Sequence, residues 1–383
     1  MRILSYLNVS NIDDIESDSG YIFNYTLARE FVKRGHSFHI ILPLKLERTQ
    51  TRFLNDMVSY INMGTTKYES RYHFEWMDVL HVIEKYHPDI VLLNQVELTA
   101  TFRVLLHSTG HEAVKIFTYC HYPATHIDAD TKDVILDYTL NDYCLGENII
   151  YNILTSINVS DVFAIQSVFA RDMLLEYAKK HNITINKMIE IIPPPYDEQI
   201  YQEPRNQFCN EILYNHRLYD SYGTAFFIDF VADNPDLSFI VTDPMSNRGE
   251  DRSKFNKSPQ HNKQLLAAFS NVAVVDGGNR EKYIEAIDKC RLAVAPYRTA
   301  CVWSMSIIDC YCRGIPVIGP NIASFSELIP HELLFNSSSE EKALVTRLIN
   351  DEKFWRDSIR KCRQLLPQIS PAVIVEKIIK TVS

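Results

Sequence analysis

Residues Ala295–Pro330, APYRTACVWSMSIIDCYCRGIPVIGPNIASFSELIP, decide how this chain is read. The apolar run Leu292–Pro296 enters the stretch as the end of a β-strand, and Tyr297–Ala300 turns polar. Ser304–Arg313 reads as a helix that breaks at Gly314, and Ile315–Gly319 is a second buried strand. Strand, loop, helix and strand make a βαβ unit. Its loop lies at the carboxyl ends of the strands, where open α/β sheets take ligands. The amino end of the helix, at Ser304 and Met305, offers unpaired N–H groups and the positive end of the helix dipole, which suit a phosphate. Asp309 lies about a turn and a half further in. An ionised carboxylate only accepts hydrogen bonds, so it can meet a sugar hydroxyl. The stretch therefore reads as a site for a sugar joined to a phosphate.

The same alternation extends in both directions. Before it come apolar strands at Arg2–Leu7, Ser37–Leu42, Ile90–Leu93, Val114–Tyr119 and Val162–Ile165, with helices at Tyr21–Arg34, Leu80–Tyr86 and Val168–Lys180. The short strand Met188–Ile192 is stopped by Pro193–Pro195, which can continue neither a central strand nor a helix. That run marks a linker. After it the pattern restarts with strands Glu211–Tyr214, Leu237–Thr242 and Val272–Val275 and helices Ala225–Ala232 and Arg280–Cys290. Alternation on both sides of the prolines implies α/β architecture in two doubly wound domains, residues 1–195 and 196–370. Residues 371–383 form an amphipathic helix with the option of crossing back to the first domain. The polar stretch Met245–Lys263 carries Arg248, Arg252, Lys254, Lys257 and Lys263 against Glu250 and Asp251, and is expected as a loop or insertion.

Composition narrows the classes. The chain has 383 residues, 46% hydrophobic and 23% charged, with a net charge of −9. It holds no apolar run of the ~18 residues a membrane span needs. Its opening residues are too short for a signal peptide and turn polar at Asn8. The negative balance argues against a broad nucleic-acid surface. Eight cysteines (Cys120, Cys144, Cys209, Cys290, Cys301, Cys310, Cys312 and Cys362) form no paired C-x-x-C framework. They read as buried free thiols in a reducing, cytoplasmic setting. Cys310 and Cys312 read as core filler rather than metal ligands. Asp128-Ala129-Asp130 is a D-x-D triplet of a kind common by chance, and no metal is expected.

Several motifs resemble the GT-B glycosyltransferases, and within them the family-four group of retaining, nucleotide-sugar-dependent enzymes. Asp309 through Ile318, DCYCRGIPVI, is similar to the family's acid, small triplet, Gly and Pro-Val pattern. Ser326–Ile329 is similar to its closing segment, and Leu213–Leu218, LYNHRL, to the strand end that carries a donor-phosphate Arg. Val162–Ser167, Ile189–Tyr196, Gly20 and Arg34–His36 match further family segments less specifically. The resemblance implies two Rossmann-like domains facing each other across a cleft, the first holding the acceptor and the second the donor. Two departures stand out. Cys301 occupies the place of the family's first Glu, and Tyr222 that of the Lys after the phosphate Arg. Arg298 lies close enough in sequence to Cys301 to restore the lost charge.

The resemblance implies a glycosyltransferase, with retention of anomeric configuration, in which His121 faces the transferred sugar as the catalytic-centre residue. Arg217, Arg298, Cys301, Ser304, Met305 and Asp309 would bind a nucleotide diphosphate sugar of UDP or GDP type. Gly277, at a glycine strand end, would let its base approach the backbone. Asp18, Ser19 and Gly20 would face the acceptor. No cofactor or metal is implied. The acceptor is a carbohydrate or, more sharply, a modified base in DNA, since phage enzymes of this fold glycosylate such bases. Other readings are a nucleotide-sugar epimerase and a non-catalytic sugar-nucleotide binder, the latter suggested by Cys301 and Tyr222. On this reading Arg217→Ala and Asp309→Ala abolish donor binding and spare the fold. Oligomeric state stays open.

Overall fold

The computed structural model describes residues 1–9, 15–64, 69–128, 131–137, 146–204, 210–243 and 257–383. They fall into two units, Met1–Pro195 with Pro371–Ser383, and Tyr196–Ser370.

The first unit contains strands β1 (Arg2–Tyr6), β2 (Ser37–Pro43), β3 (Val58–Ile61), β4 (Ile90–Leu93), β5 (Lys115–Cys120), β6 (Thr125–Ile127), β7 (Val134–Leu136), β8 (Val162–Ile165) and β9 (Ile189–Ile191). Its helices are α1 (Ser19–Lys33), α2 (Trp76–Tyr86), α3 (Thr99–Ser108), α4 (Gly146–Val159) and α5 (Val168–Lys180). Seven strands form a parallel sheet in the order β3-β2-β1-β4-β5-β8-β9, and β6 and β7 pair antiparallel apart from it. Helices cover both faces, so the central strands are apolar at successive positions rather than alternating. Ile3, Ile40 and Leu92 pack on one face with Leu27 and Phe31 of α1. Leu4, Val91 and Ile116 pack on the other with Ile83, Phe102 and Leu106. The terminal helix Pro371–Val382 belongs to this unit. Its Ile374, Val375, Ile378 and Val382 join the α1 face, and Arg34 Nη2 donates to Ala372 O at 2.7 Å.

The second unit contains β10 (Glu211–Tyr214), β11 (Ser238–Asp243), β12 (Val272–Asp276), β13 (Cys290–Val294), β14 (Val317–Pro320) and β15 (Leu334–Phe335). Its helices are α6 (Thr224–Ala232), α7 (Ser258–Ala267), α8 (Arg280–Asp288), α9 (Met305–Cys312), α10 (Phe325–Leu328), α11 (Ser338–Asn350) and α12 (Glu352–Arg363). The six strands are parallel in the order β12-β11-β10-β13-β14-β15. In both units the chain builds outward from its first strand, then crosses to that strand's other side. The order therefore reverses between β1 and β4 and again between β10 and β13.

Three sequence expectations change. Ser258–Lys263, read as part of a loop, lies in α7. That helix buries only Asn262 and Leu266, so it shows little apolar periodicity. Residues 245–256, with Arg248, Glu250, Asp251, Arg252 and Lys254, lie outside the described residues. Cys290, read as the end of a helix, starts β13, every residue of which is buried. Finally β3, β6, β7, β15, α3, α4, α10, α11 and α12 were not read as elements from the sequence. Among the described residues no helix is long and apolar enough to cross a membrane.

Candidate functional site

Parallel pairing brings the carboxyl ends of β10 to β13 to one edge of the second sheet. The crevice beside a strand-order reversal is where such sheets bind ligands. Arg217 follows β10 there. It is partly buried, and its guanidinium has no partner among the described residues. Asn215 Nδ2 donates to Ser306 O at 3.1 Å, which ties the end of β10 to the first turn of α9. Ser304 caps α9 without a side-chain hydrogen bond, and the amides of Met305, Ser306 and Ile307 have no acceptor among the described residues. An unfilled helix start of this kind attracts anions.

The loops after β10 and β13 interlock. Gly223 has φ +66°, and a Cβ placed on it would lie 2.6 Å from Tyr297 Cβ and 2.9 Å from Tyr297 O. Beside this contact the Arg298 guanidinium lies 4.5 Å over the Tyr222 ring, and its Nη1 donates to Tyr222 OH at 3.0 Å. Tyr222 thus seats a cation contributed by the neighbouring loop.

Buried polar atoms without partners among the described residues lie along this edge: His216 Nε2, Asn215 Oδ1, Thr242 Oγ1, Trp303 Nε1 and Arg280 Nε. Burial lowers the His216 pKa to about 3 against a hydrogen bond with the Val294 backbone, so the ring is neutral near pH 7. Native proteins satisfy most buried polar groups. A run of exceptions at the strand ends where such sheets take ligands fits a polar ligand.

Asp309 is placed differently from a simple ligand group. It is 6% exposed, and its Oδ2 accepts from Arg280 Nη1 at 3.1 Å and from Tyr283 OH at 3.0 Å. Arg280 Nη2 lies 3.7 Å from Asp197, and Asn215 Nδ2 donates to Tyr283 OH at 3.0 Å. Burial opposes the charge on Arg280, but Asp309, Tyr283 and Asp197 outweigh it and keep it ionised. Asp309 therefore braces α9 to α8, while its Oδ1 has no partner among the described residues. Cys301 is 2% exposed, and its Sγ lies 3.6 Å from Trp303 O. Burial raises its thiol pKa, so it stays a neutral thiol turned to the chain's own backbone. Gly277 is buried and donates its N–H to Asp243 O at 3.0 Å, holding the end of β12 to β11.

The first unit gathers a second set at its own reversal point. His121 follows β5, Asn94 follows β4, and Asp18 caps α1. Asp18 Oδ1 accepts from the amides of Gly20 at 2.9 Å and Tyr21 at 3.1 Å, and Ser19 is exposed. His121 Nε2 meets Asn94 Oδ1 at 2.9 Å. The Phe23 ring stands edge-on to His121 at 5.1 Å, and the Tyr119 ring lies 4.6 Å away. Burial pulls the His121 pKa down to about 4, with Asp18 acting in the opposite direction. Asp18 thus links Gly20 to the surroundings of His121, while in the second unit Arg217, Arg298, Ser304 and Met305 follow the ends of β10 and β13 on one edge and Asp309 is turned to Arg280 and Tyr283.

Sequence reasoning missed Asn94, Asn24 and Ser5 around His121, and Arg280 and Tyr283 around Asp309. A polar residue directly after the wholly apolar Ile90–Leu93 was a usable signal for Asn94. Of the D-x-D triplet, Asp128 accepts from Thr131 N and Oγ1, and the other two residues lie outside the described ones. Among the described residues no group of three His, Cys, Asp or Glu is placed to hold a metal. The six described cysteines are free and buried; Cys144 and Cys209 lie outside the described residues.

No known family's sequence profile matches the chain, and no curated protein does. Solved structures match it along its length. HepE from Anabaena, in complex with UDP-glucose, is 12% identical with a TM-score of 0.69, over 100% of this chain and 99% of that one. Sucrose-phosphate synthase from Thermosynechococcus elongatus is 11% identical with a TM-score of 0.73, over 99% of this chain and 97% of that one. An alpha-glucosyltransferase in complex with UDP-glucose and DNA containing an abasic site is 12% identical with a TM-score of 0.65, over 100% and 99%. The fold is the GT-B fold of these proteins, as the sequence resemblance implied.

Proposed function

We propose that this chain is a glycosyltransferase that moves a sugar, with retention, from a nucleotide diphosphate sugar to an acceptor. The observation that carries the reading is the set of hydrogen-bond donors at the reversal point of the second sheet. Arg217 and the Met305–Ile307 amides follow the strand ends of one edge, with Arg298 held beside them by Tyr222, and several buried polar atoms along that edge lack partners among the described residues. Guanidinium groups and a helix start together suit a diphosphate. Negative charge grows on that group as the sugar leaves, and donors fixed in advance stabilise it. Asp309 Oδ1 would take a ribose hydroxyl while Oδ2 holds Arg280. His121 would face the sugar, and Asp18 and Gly20 the acceptor. UDP-glucose in the HepE and alpha-glucosyltransferase structures supports a UDP-type donor.

A thermal-shift panel tests this. A ligand at about 100 times its Kd stabilises by about 2.7 kcal/mol, which raises the Tm of a domain this size by roughly 5–10 °C. UDP-glucose or a close relative should produce the shift, and Arg217→Ala should remove it. A panel of UDP- and GDP-sugars that leaves Tm unmoved sinks the reading.

The alpha-glucosyltransferase in complex with DNA supports DNA as an acceptor class, and a modified base is the group on it that this reading proposes. Lys263 of the basic stretch pairs with Asp243 at 2.8 Å, which lowers the positive charge it offers. Salt-sensitive binding to duplex DNA is expected if DNA is the acceptor, because phosphate contacts release counterions. Absent binding at low salt leaves a carbohydrate.

A further inference from the structure

A chain of side-chain amides runs beneath His121. Its polarity can be read without locating a single hydrogen, because backbone carbonyls only accept. Asn24 Nδ2 lies 2.8 Å from Gly20 O, so that end of the Asn24 amide is the NH2 group. Asn94 Nδ2 lies 3.0 Å from Tyr6 O, which fixes the Asn94 amide in the same way. The rest follows consistently. Asn24 Nδ2 donates to Asn94 Oδ1 at 3.1 Å, Ser5 Oγ donates to Asn24 Oδ1 at 2.6 Å, and Asn94 Nδ2 reaches Ser5 Oγ at 3.1 Å. The atom of Asn94 that faces His121 Nε2 is therefore the acceptor oxygen. Only an Nε2 that carries a proton can bond to it.

The structure assigns Asn94 as the positioning residue that holds His121 in its Nε2–H tautomer and leaves Nδ1 as a bare acceptor. Nδ1 has no partner among the described residues. Phe23 and Tyr119 hold the ring plane, and Gln166 Nε2 donates to His121 O at 3.2 Å. Asp18 is near enough to act on the ring's charge, favouring its protonated form. A bare Nδ1 takes an O–H or N–H donor and repels a phosphate oxygen. The group met there is then a hydroxyl of a sugar, not the diphosphate. This use of the tautomer rests on the proposed function; the tautomer itself does not.

Nitrogen NMR tests the assignment. Protein labelled with 15N at histidine gives long-range 1H–15N cross-peaks that separate the two neutral tautomers, and His121→Gln identifies the His121 set. Wild type should show a single Nε2–H form at pH 7.5. In Asn94→Ala the Nδ1–H form should become detectable. Asn94→Asp keeps the acceptor and adds charge, so it should restore the single Nε2–H form and shift the His121 titration to higher pH. An Nδ1–H form in wild type overturns the assignment. So does an unmoved titration in Asn94→Asp, which decides the matter if the Ala variant does not fold. UDP-glucose should move the Nδ1 signal and UDP should not. At ligand saturation, verified by thermal shift, equal shifts or none from both leave the tautomer standing and overturn the hydroxyl contact.

Discussion

Asp309→Ala removes the acceptor from a buried cation. The variant loses the bond from Arg280 at 3.1 Å and the bond from Tyr283 at 3.0 Å. A hydrogen bond to a charged group contributes about 1.5–3 kcal/mol, and stranding one member of a buried ion pair costs about 3–5 kcal/mol. Arg280 keeps Asp197 at 3.7 Å and is 20% exposed, which offsets part of the loss. We expect a net destabilisation of the second unit of roughly 2–4 kcal/mol. The sequence alone expected the fold to be spared. Of the chain's three tryptophans, Trp303 and Trp355 lie in the second unit and Trp76 in the first. Urea unfolding followed by tryptophan fluorescence in a Trp76→Phe background therefore reports on the second unit. Asp309→Leu with Arg280→Met should recover most of the loss, since replacing a whole buried pair by apolar groups is often neutral. Stability within about 0.5 kcal/mol of wild type in Asp309→Ala would refute the brace.

Three further outcomes are expected. Glu341 is 1% exposed and accepts from Tyr297 OH; burial pushes its carboxyl pKa up to about 7. The folded state then holds a proton that the unfolded state releases above about pH 4.5, so stability falls as pH rises from there to about 7. The accumulated loss is about 3 kcal/mol. Glu341→Gln should flatten that part of the Tm-against-pH curve, and a parallel curve argues against it. Gly223→Ala should cost roughly 1–2 kcal/mol for the left-handed backbone and roughly 1–3 kcal/mol more for overlap with Tyr297. It should also weaken donor binding by displacing Arg298; unchanged Tm and affinity would show that the two loops do not interlock. Arg217→Ala should leave Tm within about 1 °C, because the guanidinium has no partner to lose among the described residues. In calorimetric titration it should lower nucleotide-sugar affinity about 10–150-fold, the equivalent of one charge-assisted bond. Undiminished affinity would remove Arg217 from the site.

The fold was legible where strands are buried on both faces. Ile90–Leu93, Val162–Ile165 and Glu211–Tyr214 are apolar or nearly so and are bounded by polar or turn residues, so their ends are sharp. β3 is a half-buried edge strand, VSYI, with no such contrast. The helix α7 buries two residues and looks like a polar loop. The Ala295–Pro330 stretch was read correctly as strand, loop, helix and strand because Gly314 and the Pro316-Val317 step punctuate it. What the sequence hid is pairing at a distance. Asp309 meets Arg280 and Tyr283 only because α8 and α9 pack together, and no local pattern announces that. Asn94 reaches His121 across adjacent strand ends, which requires the strand order β1-β4-β5 to be known first.

The first unit is completed by Pro371–Ser383, with the whole second unit lying between its two segments. On the ribosome the apolar face of α1 must therefore wait for Ile374, Val375, Ile378 and Val382 while the second unit is synthesised. At cellular elongation rates that interval is on the order of ten seconds or more. The nascent first unit passes through it with a greasy flank open to solvent or a chaperone. Cleavage between Ser370 and Pro371 after release would return it to that state, so the stability of the amino-terminal half depends on a segment that follows the whole second unit.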